Sequence, residues 1–240
     1  MDRSQYNFFT MYSSESSASR PLTLTASVEA QVYLLFALAM GLTVLGVWAG
    51  MQMASVLLST GMHILFLVME LGIIFTSGLW MRSTPLNYVL FGLFPLLSGI
   101  TVTPYLMYVL VGYANGGAIL INALASTLFM GLAAAVFART TTWNLSVMGR
   151  GLFFALLGLI FLGVLQIFIP ALRSTQMELM LSGAGVVVFA LFTAYDLQKI
   201  QAMGRMGASP FLLALSLYLD IFNLFLSIVR FMLALSGDRR

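Results

Sequence analysis

Cysteine is absent from the 240 residues, and His63 is the only histidine. Without cysteine the chain cannot form a disulfide, an iron–sulfur cluster or a thiolate zinc site, and a single histidine excludes most histidine-based metal centres. Charge is scarce as well, because 8% of the residues are charged whereas soluble domains carry about 25%. The 11 basic residues are scattered singly, so no nucleic-acid surface is expected. The sequence therefore excludes a soluble enzyme and predicts no resident cofactor.

Apolar residues dominate instead, at 60% of the chain. A helix needs about 20 apolar residues to cross the hydrocarbon core, so this length leaves room for about seven spans. The sequence predicts an all-α integral membrane protein in contact with lipid. It would consist of a polar cytoplasmic tail at 1–27 and a seven-helix transmembrane domain at 28–240. The predicted spans are 32–49, 56–80, 86–111, 118–137, 147–169, 179–200 and 211–235.

The basic residues predict how the chain crosses the membrane, since cytoplasmic loops carry an excess of lysine and arginine. With the N-terminus in the cytoplasm, the inner side collects Arg3, Arg20, Arg82, Arg139, Arg150, Lys199 and Arg205. The outer side has only Arg173, Arg239 and Arg240. This asymmetry favours a multi-pass protein of the plasma or inner membrane with a cytoplasmic N-terminus. A re-entrant last stretch would instead place both termini in the cytoplasm.

A polar face runs along the last stretch. Its members recur at spacings of four, three, four and three residues, which places them on one side of a helix; they are Ser216, Asp220, Asn223, Ser227 and Arg230. Charged groups cost about 2.5 to 3.5 kcal/mol at the centre of a transmembrane helix. This face is therefore expected to point into the bundle or a water-filled cavity, although a polar seam that only joins helices is an alternative.

Two aspartates lie within the last two stretches. Asp196 is close to the predicted cytoplasmic end of the sixth, and Asp220 lies about ten residues into the seventh, which starts from the same side. Two carboxylates in a low-dielectric site cannot both ionise easily, so such a pair would bind and release protons as a unit. The alternative is two independent carboxylates, each paired with a cation such as Lys199 or Arg230.

Arg82 and Glu70 belong to the second stretch. Arg82 is at its cytoplasmic end, where it can pair with ionised Asp196 and close the inner mouth. Glu70 is twelve residues earlier, about 18 Å deeper at 1.5 Å per residue of continuous helix. Hard cations prefer oxygen ligands, so we predict a cation pathway past Glu70 and Asn223, with Glu70, Asp196 and Asp220 as transient ligands of the cation. A protonated glutamic acid with only a packing role is the alternative.

Glycine and proline mark the first and third stretches. Gly46 and Gly50 recur at helix-contact spacing, which indicates either close helix packing or a flexible seam. Pro95 and Pro104 are expected to kink or unwind the third stretch unless neighbouring groups satisfy the freed carbonyls.

The segments around the two aspartates are similar to those of a known family. They read Ala-Tyr-Asp-Leu-Gln-Lys-Ile at 194–200 and Ala-Leu-Ser-Leu-Tyr-Leu-Asp-Ile-Phe-Asn-Leu-Phe at 214–225, and Trp-Met-Arg at 80–82 and Ser-Gly-Ile-Thr at 98–101 match as well. The chain after its serine-rich tail resembles the Bax inhibitor family, also called the transmembrane Bax inhibitor motif family, in particular its bacterial branch.

The resemblance implies seven helices with the last one central and six wrapped around it, and a pH-dependent calcium leak. It implies that Asp196 and Asp220 are the pH sensor, that Arg82 is the latch on the first aspartate, and that Glu70 lines the path. Some bacterial relatives bind a membrane-anchored ATP-dependent protease, which makes such a protease a candidate partner.

Two other functions compete with a leak. An intramembrane aspartyl protease needs Gly-x-Gly-Asp at its second aspartate, and this chain has Leu-Tyr-Leu-Asp at 217–220, so we expect no enzyme. A non-conducting stress regulator that binds a membrane protease stays open as an alternative. In that case neutralising Asp196 or Asp220 would barely change ion flux.

Overall fold

The structure is a computed structural model that describes residues 27–204 and 208–237. The predicted tail at 1–27 lies outside the described residues except for Ser27, and so do Arg205, Arg239 and Arg240. The α-helices are α1 (Val28–Gln52), α2 (Ala54–Thr60), α3 (Met62–Phe75), α4 (Ser77–Trp80), α5 (Leu86–Gly112), α6 (Gly116–Thr140), α7 (Gly149–Phe168), α8 (Thr175–Gly204) and α9 (Pro210–Ser236). Short 3-10 turns precede and follow α7, at Leu145–Met148 and Pro170–Leu172.

The predicted all-helical membrane architecture is confirmed. Six of the described helices are long and apolar enough to cross a membrane: α1, α5, α6, α7, α8 and α9. The pair formed by α2 and α3 reaches that length only when both helices are counted, and it is bent by 88° at the break. The number of spans is therefore six, or seven if the bent pair is one span.

The second predicted stretch, 56–80, is not one helix, so that detail of the prediction was wrong. Gly61 adopts a left-handed conformation with φ of 67° and separates α2 from α3. Thr60 Oγ1 donates to the Val56 carbonyl at 2.6 Å, and His63 Nδ1 lies 3.2 Å from the Leu57 carbonyl. These side chains occupy carbonyls at the end of α2, which a continuing helix would have used, and glycine tolerates the left-handed backbone at little cost.

The last helix, α9, is the central one, as predicted. Of its most apolar 18 residues, 56% are buried, compared with 6% for the stretch that contains α7. It packs against α1, α5, α6 and α8. Among the remaining helices, α3 packs mainly on α5 and α7 mainly on α8, so these two lie in an outer layer. The polar face of α9 is thus held inside the bundle by four neighbouring helices.

Small residues bring α1 and α5 into backbone contact. A methyl group on Gly46 would lie 2.2 Å from the Leu96 carbonyl oxygen, and one on Gly99 would lie 2.2 Å from the Thr43 carbonyl oxygen. Gly46 and Gly99 therefore allow α1 and α5 to pack closely. The helix α5 also continues through Pro95 and Pro104 without unwinding.

Candidate functional site

The structure brings the two predicted aspartates together where α8 meets α9. Asp196 is 3% exposed and Asp220 is 7% exposed, and their carboxyl groups lie close enough for the charge of one to act on the other. The arrangement is therefore an aspartate pair buried inside the bundle.

The surroundings of the pair are sparse. The Ser216 side chain and the positive charge of Lys199 both interact with the Asp196 carboxyl group. The Lys199 ammonium also lies 5.8 Å from the centre of the Tyr195 ring. One oxygen of each aspartate, Oδ2, is buried without a hydrogen-bond partner among the described residues. Neither carboxylate forms an ion pair in that part of the chain. The alternative in which each aspartate has its own cation is thus not what this conformation shows.

A neighbouring glutamine fixes the loop that covers this end of α8. Gln198 Oε1 accepts a hydrogen bond from the Leu145 backbone N–H at 2.7 Å, and its Nε2 donates to the Trp143 carbonyl at 2.9 Å. No role for Gln198 is predicted from the sequence. Its place two residues after Asp196 puts it on a different side of α8, toward the loop between α6 and α7.

The predicted latch is not engaged. Arg82 lies in the turn between α4 and α5 with an exposed side chain, and it forms no ion pair with Asp196 in the described chain. The depth of about 18 Å between Glu70 and Arg82 assumed a continuous helix; the helix is interrupted at Thr76, and the depth stays a prediction. The role of Arg82 stays a prediction that depends on a different conformation.

Glu70 is the centre of a second polar cluster, formed with α5. Its side chain is buried, at 8% exposed. Ser98 Oγ donates to Glu70 Oε2 at 2.6 Å, and Thr101 Oγ1 donates to Glu70 Oε1 at 2.6 Å. Both carboxyl oxygens are therefore occupied by hydroxyl groups. A cation that binds here would have to share or displace these hydroxyls.

Tyr218 connects the Glu70 cluster to the central helix. It is fully buried, and its hydroxyl lies 2.8 Å from Thr43 Oγ1 on α1. Thr43 already donates to the Ala39 carbonyl at 2.9 Å, so the tyrosine is the donor of this bond. The Ser98 side chain and the charge of Glu70 also interact with the Tyr218 hydroxyl.

The three predicted calcium ligands do not form one site in this conformation. In the described parts of the chain, no group of three or more His, Cys, Asp or Glu side chains is placed to hold a metal ion. Glu70 accepts hydrogen bonds from hydroxyls of α5, whereas Asp196 and Asp220 lie together between α8 and α9. Asn223, the other predicted pathway residue, is half-buried and donates to the Leu219 carbonyl of its own helix at 2.7 Å.

A third charged group lies toward the opposite end of α9. Arg230 Nε donates to Glu178 Oε1 at 2.7 Å, which joins α9 to the first turn of α8. Sequence reasoning missed Glu178 because it falls just before the sixth predicted apolar stretch. A cavity of about 780 Å³ opens beside this ion pair. The polar face of α9 thus has the aspartate pair toward one end and an ion pair toward the other.

Comparison with known proteins shows the family to which this chain belongs. The family model described as "Inhibitor of apoptosis-promoting Bax1" matches residues 25–237. The chain belongs to the Bax inhibitor family. An uncharacterized relative from Campylobacter jejuni is 33% identical over 227 residues, covering 91% of this chain and 95% of the relative. The inner membrane protein YbhL of Escherichia coli is 28% identical, with 88% and 91% covered. Protein lifeguard 4 of mouse is 30% identical, with 74% and 71% covered.

Membership of the Bax inhibitor family confirms the resemblance seen in the two aspartate segments. The matched region includes every described transmembrane helix, so the aspartate pair, the Glu70 cluster and the Arg230–Glu178 pair all belong to the family domain. The family and the apolar helices together establish a multi-pass integral membrane protein.

Proposed function

We propose that the protein is a passive, pH-sensitive calcium leak, gated by Asp196 and Asp220 with Arg82 as the latch. The observation that carries the proposal is the aspartate pair itself, which is buried at the contact of α8 with the central helix. A charge within a transmembrane bundle is costly and marks a functional site by default. A pair of acids that shares one proton responds to pH as a unit.

Proton loss is the closing step of the proposed cycle. When the pair loses its shared proton, two negative charges face each other in a low-dielectric site, and the repulsion favours separation of α8 and α9 side chains. Ionised Asp196 then attracts Arg82, whose side chain is exposed and unpaired with Asp196 in the described conformation. This contact closes the cytoplasmic mouth. Acidification returns the proton, releases Arg82 and opens the mouth, so flux rises as pH falls.

The polar face of α9 is the proposed route for the ion. Asn223 and Ser227 follow Asp220 on that face and supply side-chain oxygens along the helix. Glu70, held by Ser98 and Thr101 next to Tyr218, supplies a carboxylate beside the same helix. Carboxylate, hydroxyl and amide oxygens are ligands that calcium accepts in flexible geometry. Calcium is the cargo in this proposal, and it moves down its gradient.

The proposed location is the inner membrane with the N-terminus in the cytoplasm. The relative from Escherichia coli is named an inner membrane protein, and the lysine and arginine count favours this orientation. The aspartate pair then lies toward the cytoplasmic side, where it would sense cytoplasmic pH.

Calcium flux into liposomes containing the purified protein tests the proposal. Flux should rise when the pH is stepped from about 8 to about 6, by at most about tenfold per pH unit if a single proton controls the opening. Arg82→Gln should raise the flux at the alkaline pH toward the acid value, because the latch is missing. Arg150→Gln is the matched control, since Arg150 is another exposed arginine at the same end of the bundle.

A folded protein that shows no flux above empty liposomes at either pH would refute the leak. The non-conducting regulator would then be the better account, and the next experiment would be a search for a membrane-anchored ATP-dependent protease bound to the protein. Equal flux in the unmodified and Arg82→Gln proteins, with pH dependence intact, would refute only the latch.

A further inference from the structure

Arg230, which forms an ion pair with Glu178, lines two cavities. The larger, of about 780 Å³, is open to the surroundings and is lined by both residues together with Tyr105 and Gln166. The smaller, of about 60 Å³, is lined by Arg230, Ser227 and Gly185. Arg230 contributes to the walls of both, so its side chain is part of what separates them.

The smaller cavity continues along the polar face of α9. Ser227 lines it and is 8% exposed. Gly185 of α8 has no side chain, which leaves space beside Ser227. A methyl group on Gly185 would lie only 2.7 Å from Ser227 Oγ. Toward the aspartate pair, Asn223 is the next polar residue on this face. The ion pair is therefore in line with the proposed ion route.

The pair is held by few bonds. Toward the described residues, Arg230 uses only its Nε, which donates to Glu178 Oε1 at 2.7 Å. Glu178 Oε2 has a weak contact with Gln166 Nε2 at 3.4 Å. The side chains of Arg230 and Glu178 are 41% and 32% exposed. Ion pairs with this exposure contribute little to stability. The contact can therefore break and re-form readily.

A hydroxyl group next to the pair has no partner. The Tyr105 hydroxyl is buried without a hydrogen bond among the described residues, and both Arg230 and Glu178 act on it electrostatically. Buried polar groups are normally hydrogen-bonded. An unsatisfied hydroxyl beside an ion pair is consistent with a site whose polar groups are satisfied in a second arrangement.

We propose that Arg230 and Glu178 form a second gate of the ion path, toward the end of the bundle away from the aspartate pair, with the 780 Å³ cavity as its vestibule. This inference rests on the proposed function, since a gate needs a path. With the pair formed, the arginine separates the cavities and places a positive charge in front of an arriving cation. When Arg230 moves away, the cavities join, and Glu178 and Tyr105 present oxygen atoms to the cation.

The absence of cysteine permits a test that does not depend on calcium flux. Ser227→Cys places one thiol behind the pair, and its rate of reaction with small, charged methanethiosulfonate reagents is measured in the purified protein. Glu178→Gln should speed the reaction by about threefold or more, the factor expected when a partly exposed ion pair no longer holds the closed form. The exchanged pair, Glu178→Arg with Arg230→Glu, should return the rate toward that of the Ser227→Cys protein alone. Ala234→Cys is the matched control, because Ala234 lines the vestibule outside the pair.

The outcomes separate the gate from the leak. Faster labelling at Ser227→Cys with both cationic and anionic reagents, and an unchanged rate at Ala234→Cys, supports the gate even if flux measurements refute the leak. An unchanged rate in Glu178→Gln overturns the gate and leaves the aspartate sensor untouched. Faster labelling by the anionic reagent alone also overturns the gate. That result would show only that the positive charge of Arg230 is no longer neutralised and attracts the anionic reagent. A gain that the exchanged pair fails to reverse assigns the effect to packing rather than to the ion pair.

Discussion

Replacing Asp196 or Asp220 with asparagine is expected to remove most of the pH dependence of calcium flux. Asparagine is close in shape to a protonated aspartic acid but cannot lose a proton, so Asp196→Asn cannot attract Arg82 at alkaline pH. Its flux should stay near the acid value across the range. Asp220→Asn removes the repulsion that follows proton loss, so the flux ratio between about pH 6 and about pH 8 should fall toward one.

The matched control for these variants is Glu29→Gln. Glu29 is a carboxylate at the same end of the bundle, but it is partly exposed and pairs with Arg139 at 3.5 Å. Its neutralisation should leave the pH dependence unchanged. If both aspartate variants kept the full pH response of the unmodified protein, the aspartate pair would not be the sensor.

Gly99→Ala is expected to destabilise the fold by about 1 to 3 kcal/mol, the usual range for overpacking a tight contact. The added methyl group would lie 2.2 Å from the Thr43 carbonyl oxygen and 2.8 Å from the Val47 backbone nitrogen. Both are backbone atoms of α1, which cannot rotate away as a flexible side chain can. The thermal unfolding midpoint in detergent should fall by several degrees, since 1 kcal/mol corresponds to about 2 to 4 °C at this size.

Gly41→Ala is the control for the glycine prediction. It adds the same methyl group to a helix, but nothing lies within 4 Å of the new atom. Alanine is favoured over glycine in helices by up to about 1 kcal/mol, so this variant should be as stable as the parent or slightly more stable. Equal melting of Gly99→Ala and Gly41→Ala would mean that α1 and α5 are not in the close contact described.

Periodicity was enough to predict that Asp196 and Asp220 could approach each other, whereas their role as a pH sensor stays a prediction. Short loops make the last two helices antiparallel, and Asp196 and Asp220 lie near the loop that joins them. A spacing of three or four residues also placed the polar face of α9 correctly inside the bundle. These features depend on helix geometry and on the cost of exposing charge to lipid, and both can be read from one sequence.

The break at Gly61 could not be predicted from apolar content. Residues 56–80 are apolar throughout most of their length, which is the signal of a single span. The break depends on three local events that hydropathy ignores: a left-handed glycine, the Thr60 hydroxyl bond to Val56, and the His63 ring beside the Leu57 carbonyl.

The partners of Glu70 and Arg230 were also beyond sequence reasoning. Ser98 and Thr101 were noted only as part of a family motif, because no local pattern says that α5 will face Glu70. Glu178 was passed over since it lies in the first turn of α8, where an acidic residue is common and favourable. Each contact is set by how the helices pack around α9 rather than by any one helix.

Infrared difference spectroscopy of the unmodified protein tests the central claim, that a proton held by the aspartate pair controls the path. Spectra are taken as the pH is stepped between about 8 and about 6, beside flux measurements on the same preparation. The account predicts a protonated-carboxyl band that is lost in Asp220→Asn and appears over the same pH range in which flux rises. A carboxyl band of the pair that titrates while flux stays constant, or a flux that changes with pH while the band does not, would contradict it.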